Sequence, residues 1–452
     1  MTDSQLRVGA AETDLTPPLG TELAGLFETR PATGVESPLL AKAIAVQADG
    51  APAVLITCDL IYLPAALTDA AKSIIADRAG VPADRIVISS THTHTGPATI
   101  PTGTGTGAAV DPHYLAELPG RIAESAILAC ARLRPATVAI GTATVDGICF
   151  NRRYLTDDGF AITHWGDRPG EPRPAGPTDP TVTALLAEDT DGRPIALWAN
   201  LSLHYVGIDD QTMISSDYYG RFAASVRAQL GADVIAVLCN GASGDINNVD
   251  PRRRVPITGT RRAILVARAV AGAAVAATAL VERSASVTVD ARNLPFTAHR
   301  YPVTEDDREL ADKIIAALRQ AQGTGVPEAW FSYAAGNPVP APLAERFARN
   351  LLELDALPAE RPIAIGLITI GDLGLVALPG EVFVEHGLRL KERSPHRVTA
   401  IIGLANDHLG YLPTRRAFAE GGYETWRSPT SWTRPGTGED LVETVLREWE
   451  DA

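Results

Sequence analysis

Apolar, strand-like runs alternate with longer helix-like segments along residues 53–281, and a second set of strand-like runs follows late in the chain. This alternation predicts an α/β fold with a mixed sheet core and flanking helices on both faces. The predicted strands are 53–59, 85–90, 182–187, 195–203, 234–239, 363–370, 375–378 and 398–404. The predicted helices are 67–78, 112–133, 218–230, 258–281, 305–320, 381–392 and 440–449.

The length of 452 residues fits one large α/β domain or two to three smaller ones. We expect a single domain over residues 1–452, with an insertion or cap around residues 294–342. Residues 157–180 are rich in Gly, Pro and Asp, which indicates a surface excursion or a lid. Residues 101–107 alternate Gly and Thr but lack the lysine of a phosphate-binding loop, so a nucleotide site is disfavoured.

Composition narrows the class of protein. A content of 45% hydrophobic and 21% charged residues is ordinary for a soluble enzyme, and a net charge of −14 argues against nucleic-acid or anionic-membrane partners. The first residues show no secretory signal, so we expect a cytoplasmic protein. The longest apolar stretch, 263–281, contains Arg268 and predicts a core helix rather than a stable membrane insertion.

Two histidines, His92 and His94, stand directly after the apolar run of residues 86–91. Along an extended chain, alternation places both imidazoles on one side, and the end of a strand is where active-site crevices open in α/β proteins. Two histidines there suggest a metal, although one surface histidine beside one hydrogen-bonded core histidine gives the same pattern.

Four further polar residues share this position just after an apolar run. Each alone is explained by a helix cap or by a buried hydrogen bond, but together they suggest strand ends that converge on one site. These residues are Asp59, His204, Asp245 and Glu381.

These residues lie in segments that resemble the catalytic domain of the neutral (alkaline, non-lysosomal) ceramidases, a family of zinc-dependent amidases. The resemblance runs from the N-terminus to about Trp426. Its strongest elements are Thr-His-Thr-His-Thr-Gly-Pro at 91–97 and Pro-Gly-Glu at 379–381, because chance would have to supply both in the correct order and flanks. The other matching segments are 8–10, 14–18, 151–152, 204, 240–245 and 406–424.

The resemblance implies one Zn²⁺ ion per chain, held by His92, His204, Glu381 and Tyr411. Two neutral imidazoles and a carboxylate are a usual ligand set of catalytic zinc, and the charge of the metal makes a tyrosine oxygen a possible additional ligand. The implied nucleophile is water, since zinc lowers the pKa of a bound water to about 7 and polarises a carbonyl oxygen.

The resemblance also implies roles for residues around the zinc. His94 is the candidate for proton transfer between the water and the leaving amine. Tyr423 and Arg152 are the candidate donors to the oxygen of the scissile carbonyl. Asp59 and Asp245 are better interpreted as carboxylates that support the ligands from behind, or as turn formers, than as ligands.

The chain departs from the ceramidase pattern in ways that bear on function. Where ceramidases have a serine, this chain has Asn247, which excludes a serine nucleophile and joins Asp245 as a supporting residue. Ceramidases also have a C-terminal β-sandwich domain, which we do not expect here because the chain ends soon after Tyr423. With Arg152 and Arg153 beside the site, we expect a small or polar N-acyl substrate, such as one with a carboxylate, rather than long-chain ceramide.

The sequence therefore predicts a zinc-dependent hydrolase that cleaves an amide bond of a small-molecule substrate. An esterase or lactonase with the same zinc site, and a genuine ceramidase, are alternatives. A third alternative is a non-catalytic metal-binding or ligand-binding protein, which the substitution at Asn247 motivates. The retention of the matched histidines, glutamate and tyrosines argues against such a decayed site.

Overall fold

The computed structural model describes residues 5–26, 30–100, 109–163, 165, 170–253, 257–320, 331–332, 338–339 and 344–451. Within these residues the longer strands form two sheets. The helices are α1 Ala65–Ala79, α2 Pro112–Ala131, α3 Asp217–Leu230, α4 Gly259–Ala279, α5 Glu305–Gln320, α6 Ala344–Ala356, α7 Val384–Arg393, α8 Arg415–Glu420 and α9 Thr437–Asp451. The strands of the larger sheet are β1 Arg7–Asp14, β2 Leu40–Gln47, β3 Ala53–Cys58, β4 Ile86–Ser90, β5 Arg134–Thr144, β6 Thr181–Asp189, β7 Pro194–Leu201 and β8 Ile235–Asn240. Those of the smaller sheet are β9 Val289–His299, β10 Glu360–Ile370, β11 Leu373–Ala377 and β12 Val398–Ile402.

The larger sheet is mixed, with the strand order β8-β7-β6-β5-β1-β2-β3-β4. Its two terminal pairs, β3 with β4 and β7 with β8, are parallel, whereas the strands between them pair antiparallel. The smaller sheet has the order β9-β10-β11-β12, in which β11 and β12 are parallel. Parallel neighbours bring their carboxyl ends to the same edge, where active sites form in α/β folds.

The two sheets face each other across an apolar core. Val87 and Trp198 of the larger sheet and Ile368 and Leu375 of the smaller sheet belong to this core and are buried. Helices α1 and α2 cover one part of the outer face of the larger sheet, α3 and α4 cover another part, and α7 and α9 cover the outer face of the smaller sheet. The predicted α/β class, a mixed sheet with flanking helices, is confirmed, but each sheet has helices on its outer face and the other sheet on its inner face.

The larger sheet curls so that its opposite edges approach each other. Ser89 of β4 and Cys239 of β8 lie at the two ends of the strand order, yet the Ser89 Oγ and Cys239 Sγ atoms are 3.6 Å apart. The chain after β12 runs between these edges, where the Gly403 N–H donates to the Asn240 carbonyl (3.0 Å) and the Ser90 N–H donates to the Leu404 carbonyl (3.2 Å). The ends of β4, β8 and β12 therefore meet at one place.

Helix α4 is long and apolar enough to cross a membrane by length and composition alone. Its Val266, Val270 and Ala274 side chains are buried in the same apolar cluster as Phe222 of α3. This packing is that of a helix covering a sheet, as the sequence predicts for this segment.

Three predicted irregular segments have different outcomes in the structure. The Gly-Thr stretch 101–107 lies outside the described residues. The expected insertion around 294–342 overlaps strand β9 at its start and includes α5, while 321–330, 333–337 and 340–342 lie outside the described residues. Within 157–180, the described residues fold back so that Ala161–Thr163 pairs with Arg153–Leu155, beside Arg152.

Candidate metal centre

Three histidines and a carboxylate converge where the strand ends meet. One ring nitrogen from each of His92, His94 and His204 lies within 4.8 Å of the other two. The Glu381 Oε2 atom is 3.4 Å from His92 Nε2 and 3.8 Å from His204 Nε2. His92 follows β4, His204 follows β7 and Glu381 follows β11, so the site lies at strand carboxyl ends, as predicted.

His92 reaches the centre through its backbone conformation and not through strand alternation. Strand β4 ends at Ser90, and His92 has a φ of 70°, in the left-handed region that non-glycine residues seldom adopt. Its N–H donates to the Leu60 carbonyl (2.9 Å), and its Nδ1 donates to the Ile61 carbonyl (2.8 Å). His92 and His94 lie together as expected, with ring centroids 4.8 Å apart, but the chain is not extended at His92, and a turn there sets the direction of its ring.

His204 is oriented in the same way as His92. Its Nδ1 lies 3.3 Å from the Ser243 carbonyl, which only accepts hydrogen bonds, so Nε2 of the ring carries the lone pair that faces Glu381. An imidazole that donates its second N–H to a carbonyl is the usual arrangement of a metal-ligating histidine. Burial, together with His92 and Arg152, holds the pKa of His204 well below its ordinary value, so the ring is neutral and able to bind a cation.

The sequence predicted a helix that begins at Glu381, but this residue lies in a short strand. Residues 381–382 pair in parallel with 411–412, the Glu381 N–H donates to the Gly410 carbonyl (2.9 Å), and α7 begins only at Val384. The Oε2 atom is buried and has no hydrogen-bond partner among the described residues. Burial raises the pKa of this carboxyl, but the neighbouring His92, His408 and Arg152 together outweigh burial and lower the pKa, so Glu381 is a carboxylate.

The donor set fits a divalent metal such as zinc. Two imidazoles with inward Nε2 atoms and one carboxylate oxygen without a hydrogen bond are nitrogen and oxygen donors of the kinds that catalytic zinc uses. Tyr411 is the register neighbour of Glu381 in the short parallel pair. Burial and Glu381 raise the pKa of Tyr411 well above its ordinary value, so without a cation the phenol keeps its proton.

Arg152 enters the centre, whereas Arg153 does not. Arg152 Nη1 lies 3.4 Å from His204 Nε2, its guanidinium lies over the Tyr411 ring at 5.4 Å from the centroid, and Nε donates to Glu424 (2.8 Å). Arg153 is 2% exposed, and its guanidinium donates hydrogen bonds to Glu424 (2.8 Å) and to backbone carbonyls. The two arginines therefore do not form the pair expected for a substrate carboxylate, because both pair with the fully buried Glu424 and Arg153 also lies 3.6 Å from Glu420.

His94 and Tyr423 border the cluster. The centroid of the His94 ring is 4.8 Å from that of His92, and its Nε2 atom has no hydrogen-bond partner among the described residues. Tyr423 begins a short 3-10 turn, and its ring packs edge to face on Tyr411 at 5.7 Å. Burial and Glu381 raise the pKa of Tyr423 to about 12, so its hydroxyl keeps its proton.

Two of the predicted supporting residues, Asp245 and Asn247, hold backbone segments around the cluster through hydrogen bonds. Asp245 accepts from Asn151 Nδ2 (2.8 Å) and from the Val384 N–H (2.8 Å), and its carbonyl accepts from the Arg152 N–H (2.8 Å). It therefore ties the segment carrying Arg152 to the segment that follows Glu381. Asn247 is buried in a two-residue strand and its Oδ1 accepts from the Val249 N–H (3.0 Å), so it shapes the turn after Asp245.

Asp59 forms a buried ion pair and does not face the histidines. Its Oδ2 accepts from Lys42 Nζ (2.8 Å) and from the Leu40 N–H (3.0 Å). The loop that begins at Asp59 carries the two carbonyls that orient His92. Asp59 therefore supports the centre through the backbone.

Three aromatic residues beside the centre were not predicted from the sequence. Tyr205 stacks on His94, with ring centroids 3.6 Å apart and an interplanar angle of 15°. Tyr62 stacks on His408 at 4.3 Å and 12°, and both residues are buried. The sequence signals two of them only by position, since Tyr205 follows His204 and His408 lies within the matching segment 406–424.

The fold and the centre define an α/β protein with a candidate metal site at converging strand ends. Its fold is that of the neutral ceramidases: the structure resembles a ceramidase complexed with C2 at a TM-score of 0.71 and 18% identity, covering 99% of this chain and 76% of that one. It also resembles the neutral ceramidase of Pseudomonas aeruginosa at a TM-score of 0.69 and 18% identity, covering 99% and 75%. No family model and no curated protein matches the sequence. The resemblance inferred from the motifs is confirmed in the fold.

Proposed function

We propose that this protein is a zinc-dependent hydrolase that uses water to cleave the amide bond of a small or polar N-acyl substrate. The observation that supports this most strongly is Glu381 Oε2, a buried carboxylate oxygen without a hydrogen bond that faces the Nε2 atoms of His92 and His204. A buried carboxylate oxygen without a hydrogen bond costs free energy unless a partner arrives, and a cation is the partner that this donor set fits. The ceramidases with the same fold are the second support.

His92, His204 and Glu381 would hold the ion, with Tyr411 as the additional ligand. A bound zinc ion would polarise the scissile carbonyl and make water at the site more acidic. The two imidazoles keep their orientation through the Ile61 and Ser243 carbonyls, so the ligand set is preorganised.

Arg152 and Tyr423 would bind the carbonyl oxygen of the substrate. Arg152 Nη2 is buried without a hydrogen-bond partner among the described residues, and Glu424 fixes the guanidinium through Nε. The charge that develops on the carbonyl oxygen would receive a hydrogen bond from this Nη2 and from the Tyr423 hydroxyl. Donors fixed before the reaction lower the barrier because they need no reorganisation.

His94 would carry the proton. As the oxygen of water forms its bond to the carbonyl carbon, His94 accepts the proton that the water loses, and it then delivers this proton to the nitrogen of the leaving amine when the C–N bond breaks. Burial, followed by His92 and Arg30, holds the pKa of His94 well below its ordinary value, so the ring begins the reaction neutral and able to accept.

The preference for a small or polar substrate is supported by hydrogen-bonding groups around the centre. Arg152, Tyr423, Tyr62 and His408 present a guanidinium, hydroxyls and an imidazole, and His408 Nδ1 is buried without a partner among the described residues. A long acyl chain gains about 0.8 kcal/mol per buried methylene only where an apolar groove receives it.

Metal analysis combined with a substrate panel tests the proposal. We expect about one zinc per chain, with hydrolysis of short N-acyl amides that EDTA abolishes and zinc restores. In an N-acyl series, we expect kcat/KM for long-chain ceramide to be at least roughly tenfold below that for the best short substrate. A rise in kcat/KM to the longest chains would indicate a genuine ceramidase, turnover of esters or lactones only would indicate an esterase, and zinc binding without any turnover would contradict catalysis.

A further inference from the structure

An aromatic stack holds the plane of the His94 ring. His92 and His204 each donate Nδ1 to a backbone carbonyl, whereas Nε2 of His94 has no hydrogen-bond partner among the described residues. Instead, the His94 ring lies nearly parallel to Tyr205, at 3.6 Å between centroids and 15° between planes. The three imidazoles of the centre are therefore oriented by two different kinds of contact.

The backbone of Gly25 packs against the same imidazole and completes a slot with Tyr205. Gly25 has a φ of +101°, and a Cβ atom at this residue would lie 2.5 Å from His94 Cγ. Arg30, itself buried, fixes the slot because its Nη2 donates both to the Ala24 carbonyl (2.7 Å) and to the His94 carbonyl (2.8 Å). The slot leaves His94 little freedom to rotate, although Nε2 is not tied by a hydrogen bond.

We propose that Tyr205 is a positioning residue that holds His94 in the orientation needed for proton transfer. A proton carrier must keep one nitrogen without a permanent partner, and Nε2 of His94 meets this condition among the described residues. Stacking fixes the plane of an imidazole and leaves its nitrogens open. This inference rests on the proposed function for the role of His94, but the contact itself does not.

Two substitutions at Tyr205 separate stacking from the hydroxyl. Tyr205→Leu removes the aromatic face, and we expect kcat to fall about 10- to 100-fold, the range for a catalytic group displaced by about 1 Å, with a smaller change in KM. Tyr205→Phe keeps the face, and we expect kcat within about threefold of the wild type because stacking is retained. Zinc content should be the same in all three proteins, although Tyr205 is adjacent to His204.

A double-mutant cycle shows whether Tyr205 acts through His94. In a His94→Ala background, Tyr205→Leu should cause no further loss of kcat, since the group that it positions is absent. Equal losses in both backgrounds would overturn the proposal. It would also be overturned if Tyr205→Phe lost as much activity as Tyr205→Leu, or if Tyr205→Leu lost its zinc.

A structural measurement tests the contact without metal or substrate. In crystal structures of the EDTA-treated proteins, the His94 ring should have one orientation in the wild type and Tyr205→Phe, and a rotated or multiple orientation in Tyr205→Leu. An unmoved ring in Tyr205→Leu would overturn the positioning. If His94→Ala were fully active and the His94 ring were displaced in Tyr205→Leu, the proton-transfer role would be overturned and the positioning by Tyr205 would be supported.

Discussion

Two buried carboxylates, Asp59 and Glu381, follow apolar strands in the same way but have different partners. Asp59 is fully buried and pairs with Lys42 at 2.8 Å, so its charge is compensated inside the protein although Oδ1 makes no hydrogen bond. Glu381 has no ion pair with a lysine or arginine within the described part of the chain, and it faces His92 and His204. A carboxylate at a strand end is thus structural when the fold supplies its cation and is a ligand candidate when the cation must come from outside.

The largest expected effect is that of Glu381→Ala. Removing one ligand from a set of three or four leaves an incomplete site, so we expect zinc content near zero and activity at background. Glu385→Ala is the matched control, because this carboxylate lies four residues further on and pairs with Arg416. The control should keep its zinc and its activity within about twofold, as surface substitutions do. A zinc-free Glu381→Ala protein with full activity would contradict the assignment.

His94→Ala should separate proton transfer from metal binding. We expect zinc to be retained and kcat to fall by roughly two to four orders of magnitude, the range for a lost general acid–base. Metal analysis and steady-state kinetics on the same preparations measure both effects. A loss of zinc equal to that of His92→Ala would make His94 a ligand, which its position within 4.8 Å of the other two imidazoles allows geometrically.

Asp59→Ala should affect stability and leave metal binding intact. The substitution leaves Lys42, which is 2% exposed, without its counter-ion, and we expect a loss of about 3 to 5 kcal/mol in the free energy of unfolding. Denaturant titration measures it. The double variant Lys42→Met/Asp59→Leu should recover most of the loss, because apolar residues replace both charges. If Asp59→Ala lost its zinc in the folded state, the distinction between the two carboxylates would fail.

Acid should destabilise the metal-free protein. Burial lowers the pKa of His94 and His204 well below 6.5 and that of His408 to about 4, so the unfolded chain binds more protons than the folded one as the pH falls below about 6.5. Burial raises the pKa of Asp245 to about 6 and also raises the pKa of Asp59 and Asp217, which acts in the opposite direction. The lowered pKa of His386 and of His396 adds to the effect of the other histidines. The free energy of unfolding after EDTA treatment should therefore decrease from pH 7 to 5, less steeply in His94→Ala. A constant or rising value would contradict the neutral state of these histidines.

Much of the α/β architecture could be predicted from the sequence, because strands such as β3, β7 and β8 are continuous apolar runs. The short motifs also indicated the strand ends that carry His92, His204 and Glu381. The curl that brings Ser89 within 3.6 Å of Cys239 could not be predicted, since closure depends on the twist and packing of two sheets.

The contacts within the centre were also beyond the sequence. The left-handed turn at His92 is fixed by carbonyls from a loop about thirty residues earlier, and strand alternation predicted a different geometry. The pairing of Arg153 with Glu424 joins residues 271 positions apart, so the expected arginine pair for a substrate carboxylate could not be excluded beforehand. Tyr205 has no motif of its own, and only the structure shows its stack on His94.

A crystal structure of the zinc-loaded protein, with anomalous data collected at the zinc edge, tests directly whether His92, His204 and Glu381 bind zinc. We expect one anomalous peak per chain, with His92 Nε2, His204 Nε2 and a Glu381 oxygen bound to the metal and with His94 remaining stacked on Tyr205. A peak bound by the three histidines without Glu381, or no peak at this position in a zinc-replete and active protein, would contradict this expectation.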